Sequence, residues 1–402
     1  MSFQGFGVPD DLQMLATVIG EFTRREIGAA EAGLPPHARE IPEDRLQALQ
    51  AKARAAGFWC LEAPTEFGGG GLTAYEMAVV LEQAVKHKFS FPVPGGGAFG
   101  YNPPVVLYQG NAEQIERYVR PTIEKGWLSF TAISEPTGGS DPARAIRATA
   151  VRRGDRYILN GQKMWATDGD RAEYGVVYAR TDPSVGRGGI SALIVDRDTP
   201  GMTVNEIPVL RDHWTTEISF QDCEIPVSNR VGAEGEGFSL AQGWLVRNRI
   251  FYAAQAIGVA EEALRMAVEW ALMRETFGAV LATRQAVQFS IADARVAINA
   301  ARHLMWEAAY KHDSGDDARV EASMAKLYGT ETGFRVVDAM MQIFGGMGMT
   351  KELPLEHWFR ALRVSRVVEG PSEIHRYLIA RSMLGVAATG SGRRELGKTD
   401  GP

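Results

Sequence analysis

The chain has 402 residues, more than one small core can organise, so two or three domains are expected. Apolar residues make up 45% and charged residues 23%, ordinary for a globular protein in water, and a net charge of −6 leaves no basic footprint for nucleic acid. No apolar run reaches membrane-spanning length, and Cys60 and Cys223 are too few for a disulfide framework or a thiolate zinc site.

Met1–Asp11 lacks the basic-then-apolar pattern of a secretory leader, so a reduced, cytoplasmic setting without membrane insertion is expected. From about Pro9 to Lys125 the pattern is helical, with apolar residues three and four apart in 11–29, 42–56 and 74–85. Gly95–Gly100 matches G-x-G-x-x-G, but no strand precedes it and Asn102-Pro103-Pro104 interrupts any helix after it. A loop or helix start is the better reading than a dinucleotide fingerprint.

Near Trp127 the period changes. Leu128–Ser134 alternates like a strand, and 149–159 reads as a hairpin turning at Gly154-Asp155. Strand-like segments follow at 174–179, 190–195 and 217–220, which predicts a small barrel or sandwich ending near Gly237. Alanine-rich helices then span 238–273, 283–311 and 317–344, and a helix starting at Pro371 is expected to close a four-helix bundle. The division is therefore 1–127 helical, 128–237 β and 238–386 helical, with 387–402 small, polar and disordered.

Five stretches can carry chemistry, each with a plainer reading beside it. Ser134-Glu135-Pro136-Thr137-Gly138-Gly139-Ser140-Asp141 ends a strand in a loop able to bond a polar ring or phosphate, or is an ordinary turn. In 161–168, Trp165 and Thr167 lie two apart on a strand and can meet one ligand, unless Trp165 is a core residue. Arg274-Glu275-Thr276-Phe277-Gly278, with Gln285 beyond, can clamp a pyrophosphate or merely cap a helix. Gln342-Ile343-Phe344-Gly345-Gly346-Met347-Gly348 can admit a cofactor to the backbone or simply stop a helix. Glu369, between Val367-Val368 and Gly370-Pro371, is pulled two ways. Helix-start N–H groups favour its charge while an apolar wall raises its pKa, as a general base near neutrality needs; an exposed acid decorating a helix start is the alternative.

Taken in order, these motifs resemble the acyl-CoA dehydrogenase family from the first helices to about Leu384. The resemblance implies an α+β protein with an N-terminal helical domain, a middle β domain and a C-terminal four-helix bundle, with FAD between the last two and its distal half reaching a neighbouring subunit. It places Thr131, Ile133, Ser134, Gly139 and Ser140 along the flavin, Trp165 against the ring and Thr167 near N5. Arg274, Phe277, Gln285, Gln342, Gly345, Gly346 and Glu373 would serve the diphosphate and adenosine half. Ser140, Arg249 and Gly370 would touch the acyl-CoA, and Glu369 matches the catalytic base. The implied reaction is α,β-dehydrogenation of an acyl-CoA thioester to a trans-2,3-enoyl-CoA, with an electron-transfer flavoprotein as acceptor and a homo-oligomer, a dimer of dimers, as the assembly.

Some members of the family carry the base on the helix near Arg249 instead; here 243–249 contains no carboxylate, which strengthens Glu369. Pro371 stands where the family usually has threonine, Glu373 replaces a frequent glutamine, Val368 a frequent aromatic, and Val246 a frequent acid near the CoA end. Bulky Phe99 and Trp244 suggest a short, branched or cyclic acyl group. Competing readings are an oxygen-using flavoenzyme on the same fold, or a flavin- and acyl-CoA-binding subunit without turnover.

Overall fold

The computed structural model describes residues 7–185, 187–212 and 215–385; the tail expected to be disordered, 387–402, lies outside them. Helix α1 (Asp10–Phe22) runs through a wider turn at Thr23–Ile27 into Gly28–Glu31, where the Thr23 hydroxyl donates to the Ile19 carbonyl (2.8 Å). Helices α2 (Glu43–Ala55) and α3 (Ala74–Ala84) follow. A reciprocal Thr73/Glu76 cap starts α3, and its Ala74 and Tyr75 N–H groups also donate to the Asp313 carboxylate (2.9 and 2.8 Å). A residue 239 positions away thus neutralises the orphan donors of this helix start. The glycine run at 94–97 forms a tight turn in a loop, as expected.

The β part is one sheet built from β1 (Ser129–Ala132), β2 (Thr149–Arg153), β3 (Arg156–Thr167), β4 (Tyr174–Arg180), β5 (Ile190–Asp196), β6 (Met202–Ile207), β7 (Thr215–Pro226) and β8 (Arg230–Val231). The order is β6-β7-β3-β2-β4-β5-β8, with β1 parallel to β4. The β2–β3 hairpin turns at Gly154-Asp155 as expected. Strands β4 and β5 read as continuous apolar runs because both faces are covered. Tyr174, Val176 and Tyr178 pack under the N-terminal segment with Trp59 and Tyr118, while Val177 and Ala179 join the sheet's own core with Phe130 and Leu159. Edge strand β6 went unexpected: most of its residues are partly or fully exposed, so it lacks the buried alternation that marks a strand in sequence.

Helices α4 (Gly237–Met273), α5 (Gln285–Asp313) and α6 (Arg319–Phe344) form the bundle, followed by α7 (Leu355–Ser365) and α8 (Ser372–Leu384). One apolar cluster joins α4, α5, α6 and α7 with Ala74, Ala78 and Leu81 of α3. The central place expected for α8 is therefore shared by α3 and the unexpected α7. Helix α8 packs on α6 through the buried Ser372 and His375, and no residue of it enters the cluster. Helices α4 and α6 approach closely because Gly329 and Gly333 face Ala253 and Ala256; a Cβ on Gly329 would lie 2.9 Å from that of Ala253. Arg302–Glu82 (2.7 Å), Trp358 Nε1 to the His87 carbonyl (3.0 Å) and Arg360–Asp212 (2.7 Å) tie the parts together.

Candidate active site

The chain leaves α7 and reverses within seven residues. The Val367 N–H donates to the Val364 carbonyl (2.9 Å), and the Ser372 N–H closes the turn on the Arg366 carbonyl (3.1 Å). Between them Glu369 and Gly370 both adopt left-handed backbone, with φ of 56° and 94°. Glycine does this without strain, whereas glutamate does so at a cost the surrounding contacts must offset. Those contacts come from α6. Ser372 Oγ donates to Glu331 Oε1 (2.7 Å), Arg366 pairs with Glu331 (2.9 Å), and Lys326 Nζ donates to the Gly370 carbonyl (2.8 Å). Pro371 caps α8 rather than starting it, one residue off the expectation.

Glu369 is half-buried as a residue, and its carboxylate Oε2 is sealed from water and without a hydrogen-bond partner among the described residues. Burial raises its pKa to about 7, against the opposing pull of Lys326, Arg249 and the Asn248 amide. The helix-start N–H groups expected to steady the charge do not do so; side chains of α4 and α6 take that role. Arg249 Nε donates to the Glu369 carbonyl (3.3 Å). Lys326 is fully buried and its pKa falls to about 7, mainly by desolvation, with Glu369 opposing. His375 lies under the Glu369–Gly370 link, its ring nitrogens without hydrogen-bond partners and its pKa lowered to about 3 by burial and the cations Lys326 and Arg249. It is neutral at working pH.

Tyr252, one turn beyond Asn248, bridges to the sheet. It is half-buried between Glu369 and Arg211, its hydroxyl pKa is pushed far up by desolvation, and its ring meets Phe91 edge-on at 5.6 Å. Arg211 precedes β7 and donates through Nη2 to Thr167 Oγ1 (3.1 Å); its Nε and Thr215 Oγ1 are buried without partners. Trp165 sits at a β-bulge in β3 with φ 66° and is 53% exposed. The core reading of this tryptophan therefore fails. Trp165 and Thr167 both point away from the core while Ala166 between them is buried.

Thr131 is half-buried on the face of β1 opposite Phe130 and Ala132, and Ile133 packs beside it. The Ser134 carbonyl accepts from the Met164 N–H (2.9 Å), which joins this loop to the tryptophan strand. Gly139 and Ser140 lie on the exposed turn beyond. Glu135 between them is structural, buried in an ion pair with Lys163 (2.8 Å) and accepting the Arg147 and Ala148 N–H groups.

The remaining expected residues gather elsewhere. Trp270 stacks on Phe344 (5.0 Å), bringing together the ends of α4 and α6 that carry Arg274, Gln342, Gly345 and Gly346. Gln285 starts α5 alongside, and Phe277, at the tip of a two-strand turn, is 98% exposed. Arg249 and Arg274 lie 25 positions apart on α4, roughly 37 Å along the axis. Glu373 is exposed on the first turn of α8. Phe99 packs against Phe22 (5.7 Å) within the N-terminal helices, which removes its support for a small acyl pocket. A cavity of about 530 Å³ opens beyond Phe91, lined also by Pro92, Val93, Leu128 and Ile41. Val246, at a position of frequent acids, is buried in the bundle cluster.

Sequence reading missed Lys326, His375, Tyr252, Asn248 and Arg211. Lys326 did leave a signal: a lone cation on the small-residue stripe of Ala322, Gly329 and Gly333.

Sequence profiles for three domains match in order: acyl-CoA dehydrogenase N-terminal domain over 9–126, middle domain over 131–223 and C-terminal domain over 235–384. An acyl-CoA dehydrogenase of Bacillus subtilis is 35% identical over 94% of this chain and 99% of that protein. The human mitochondrial short-chain specific acyl-CoA dehydrogenase is 35% identical over 95% of this chain and 92% of that protein. Butyryl-CoA dehydrogenase from Megasphaera elsdenii superposes with a TM-score of 0.83 at 29% identity, covering 95% of this chain and all of that one.

Proposed function

Because this chain belongs to the acyl-CoA dehydrogenase family, we propose that it dehydrogenates a short-chain acyl-CoA thioester to the trans-2,3-enoyl-CoA, with Glu369 as the base. Members of the family are oxidoreductases, and FAD is the cofactor. The residues fit that group. Exposed Trp165 offers an aromatic face, Thr131, Ser134 and Thr167 border it with hydroxyls, and a Cβ at Gly345 or Gly346 would meet nothing within 4 Å. Bound FAD supplies the two-electron acceptor for the β-hydrogen.

The observation that carries the reading is the sealed, unpaired Oε2 of Glu369. It accepts the α-proton of the thioester, and desolvation makes that oxygen far more basic than a carboxylate in water. The Glu369 N–H has no partner among the described residues and can donate to the thioester oxygen as charge develops there. Arg249 and Lys326 grip the successive Glu369 and Gly370 carbonyls, so the carboxylate is held through its backbone as well as by the Asn248 amide. Tyr252 and Phe91 close the site against water.

A short acyl group is supported by the short-chain specificity in the name of the human relative and by the Phe91–Tyr252 wall. Arg274 lies roughly 37 Å along α4 from Arg249, and Gln342, Gly345 and Gly346 share its end of the bundle. That supports a homo-oligomer, a dimer of dimers, in which a neighbour supplies them. An electron-transfer flavoprotein is the acceptor proposed, and the two buried free cysteines accord with the cytoplasm. The test is anaerobic addition of straight, branched and cyclic acyl-CoAs to the FAD-loaded enzyme. Bleaching of the flavin by a short acyl-CoA is expected; bleaching by long chains alone would overturn the substrate, and none at all the function.

A further inference from the structure

Lys326 is a fully buried charged group that neither gives nor takes a proton in this reading of the reaction. Its side chain is fully buried on α6, on the stripe where Gly329 and Gly333 admit α4, and its only hydrogen bond among the described residues goes to the Gly370 carbonyl (2.8 Å). A lysine there is costly, since an ammonium loses its hydration and a neutral amide could make the same bond more cheaply. Its charge must therefore be matched locally. From α4 come Arg249, Asn248 and Tyr252; from α6 Glu331, already engaged by Arg366 and Ser372; from α8 Glu373, which is exposed, and neutral His375; Arg211 lies beyond Tyr252. Glu369 is the carboxylate left to balance it.

We propose that Lys326 is a positioning residue for the base, clamping the Glu369–Gly370 link through the Gly370 carbonyl and holding a positive charge beneath the carboxylate. The proposal rests on the reading of Glu369 as the base. The clamp acts on a strained stretch of backbone, two successive left-handed residues of which one is not glycine, so its loss lets the carboxylate swing. The charge acts through space while the ammonium persists, up to about pH 7, the range over which Glu369 ionises. Without it the buried carboxylate faces Arg249 alone, whose guanidinium is drawn to the Glu369 carbonyl, and it ionises less readily.

Two substitutions separate these parts: Lys326→Gln keeps a donor for Gly370 and removes the charge, and Lys326→Met removes both. pH-difference infrared spectroscopy of the purified protein follows the protonated carboxyl band, assigned to Glu369 by its loss in Glu369→Gln, and needs no turnover. Both lysine variants are expected to raise the midpoint of that band by about one pH unit or more. The acid limb of kcat/KM should shift equally, and Met alone should also lower the limiting rate at high pH by at least about tenfold. An unchanged infrared midpoint in Lys326→Gln would overturn the proposal, whether or not Lys326→Met folds. If the parent enzyme bleaches with no acyl-CoA, the reading of its function fails, while the infrared midpoint still decides the role of Lys326.

Discussion

A carboxylate with one oxygen shut off from water and left unpaired holds its proton well above the usual acid range, and Glu369 is such a group. As the proposed base it works only when deprotonated, so kcat/KM should climb about tenfold per pH unit on the acid side and level off above about pH 7. A rate profile flat from pH 5 to 9, measured with one acyl-CoA, would contradict this. Glu369→Gln should keep its FAD yet lose turnover by at least ~10²-fold, the lower end for removing a general base. Stopped-flow flavin reduction is the direct measurement, and near-parental rates would mean that another group takes the proton. The carboxylate and the glycine after it were legible in the sequence because Glu-Gly-Pro is a local pattern. Lys326 and His375 were not, because their meaning depends on a turn 43 and six residues away.

At the scale of elements, the α4–α6 contact sets the site. Lys326 lies one turn before Gly329 and Arg249 one turn before Ala253, so the close approach of glycine to alanine delivers both cations to the same turn. Gly329→Ala gains about 1 kcal/mol in helix propensity but must place a Cβ 2.9 Å from that of Ala253. The overlap, costing about 1–3 kcal/mol, should win, so thermal unfolding is expected to show a lower Tm. A stabilised variant would show that the helices part freely.

The second element is the segment before β7, pinned to α7 by Asp212, which accepts from Arg360 (2.7 Å) and meets His357 Nδ1 (3.0 Å). Although burial opposes it, these partners hold the Asp212 pKa well below the ordinary value. Its stabilising contribution is therefore present above about pH 4 and fades as pH falls through the lowered value. Asp212→Asn should cost about 1–3 kcal/mol at pH 7 by denaturant unfolding, with the gap to the parent narrowing in acid. A gap unchanged at pH 3 would contradict the sign. Neither α7 nor this clamp was foreseen, because the sequence pattern of α7 is short and its partner lies about 145 positions earlier.

Over the whole molecule, Leu272, Met273, Phe277 and Phe289 remain exposed at the end of the bundle that carries the second set of expected cofactor residues. Exposed apolar side chains gathered at one end are the mark of an interface. Light scattering should find an assembly of at least dimer size, and Phe277→Ser should weaken both the assembly and FAD retention. A monomer with full FAD content would sink that reading.

The sequence by itself determined the succession of helices, sheet and helices, the β2–β3 hairpin and the family likeness, and it singled out Glu369 as the candidate base. Each of these is written in local periodicity, turn chemistry or a contiguous motif. Only the tertiary structure decided what surrounds that carboxylate. The turn is held from α6, the cations arrive from α4 and α6, and Arg211 and Tyr252 link it to the sheet. A pKa is set by burial and by charges a few ångströms away, and those neighbours come from positions 248 to 375, which no single sequence window contains.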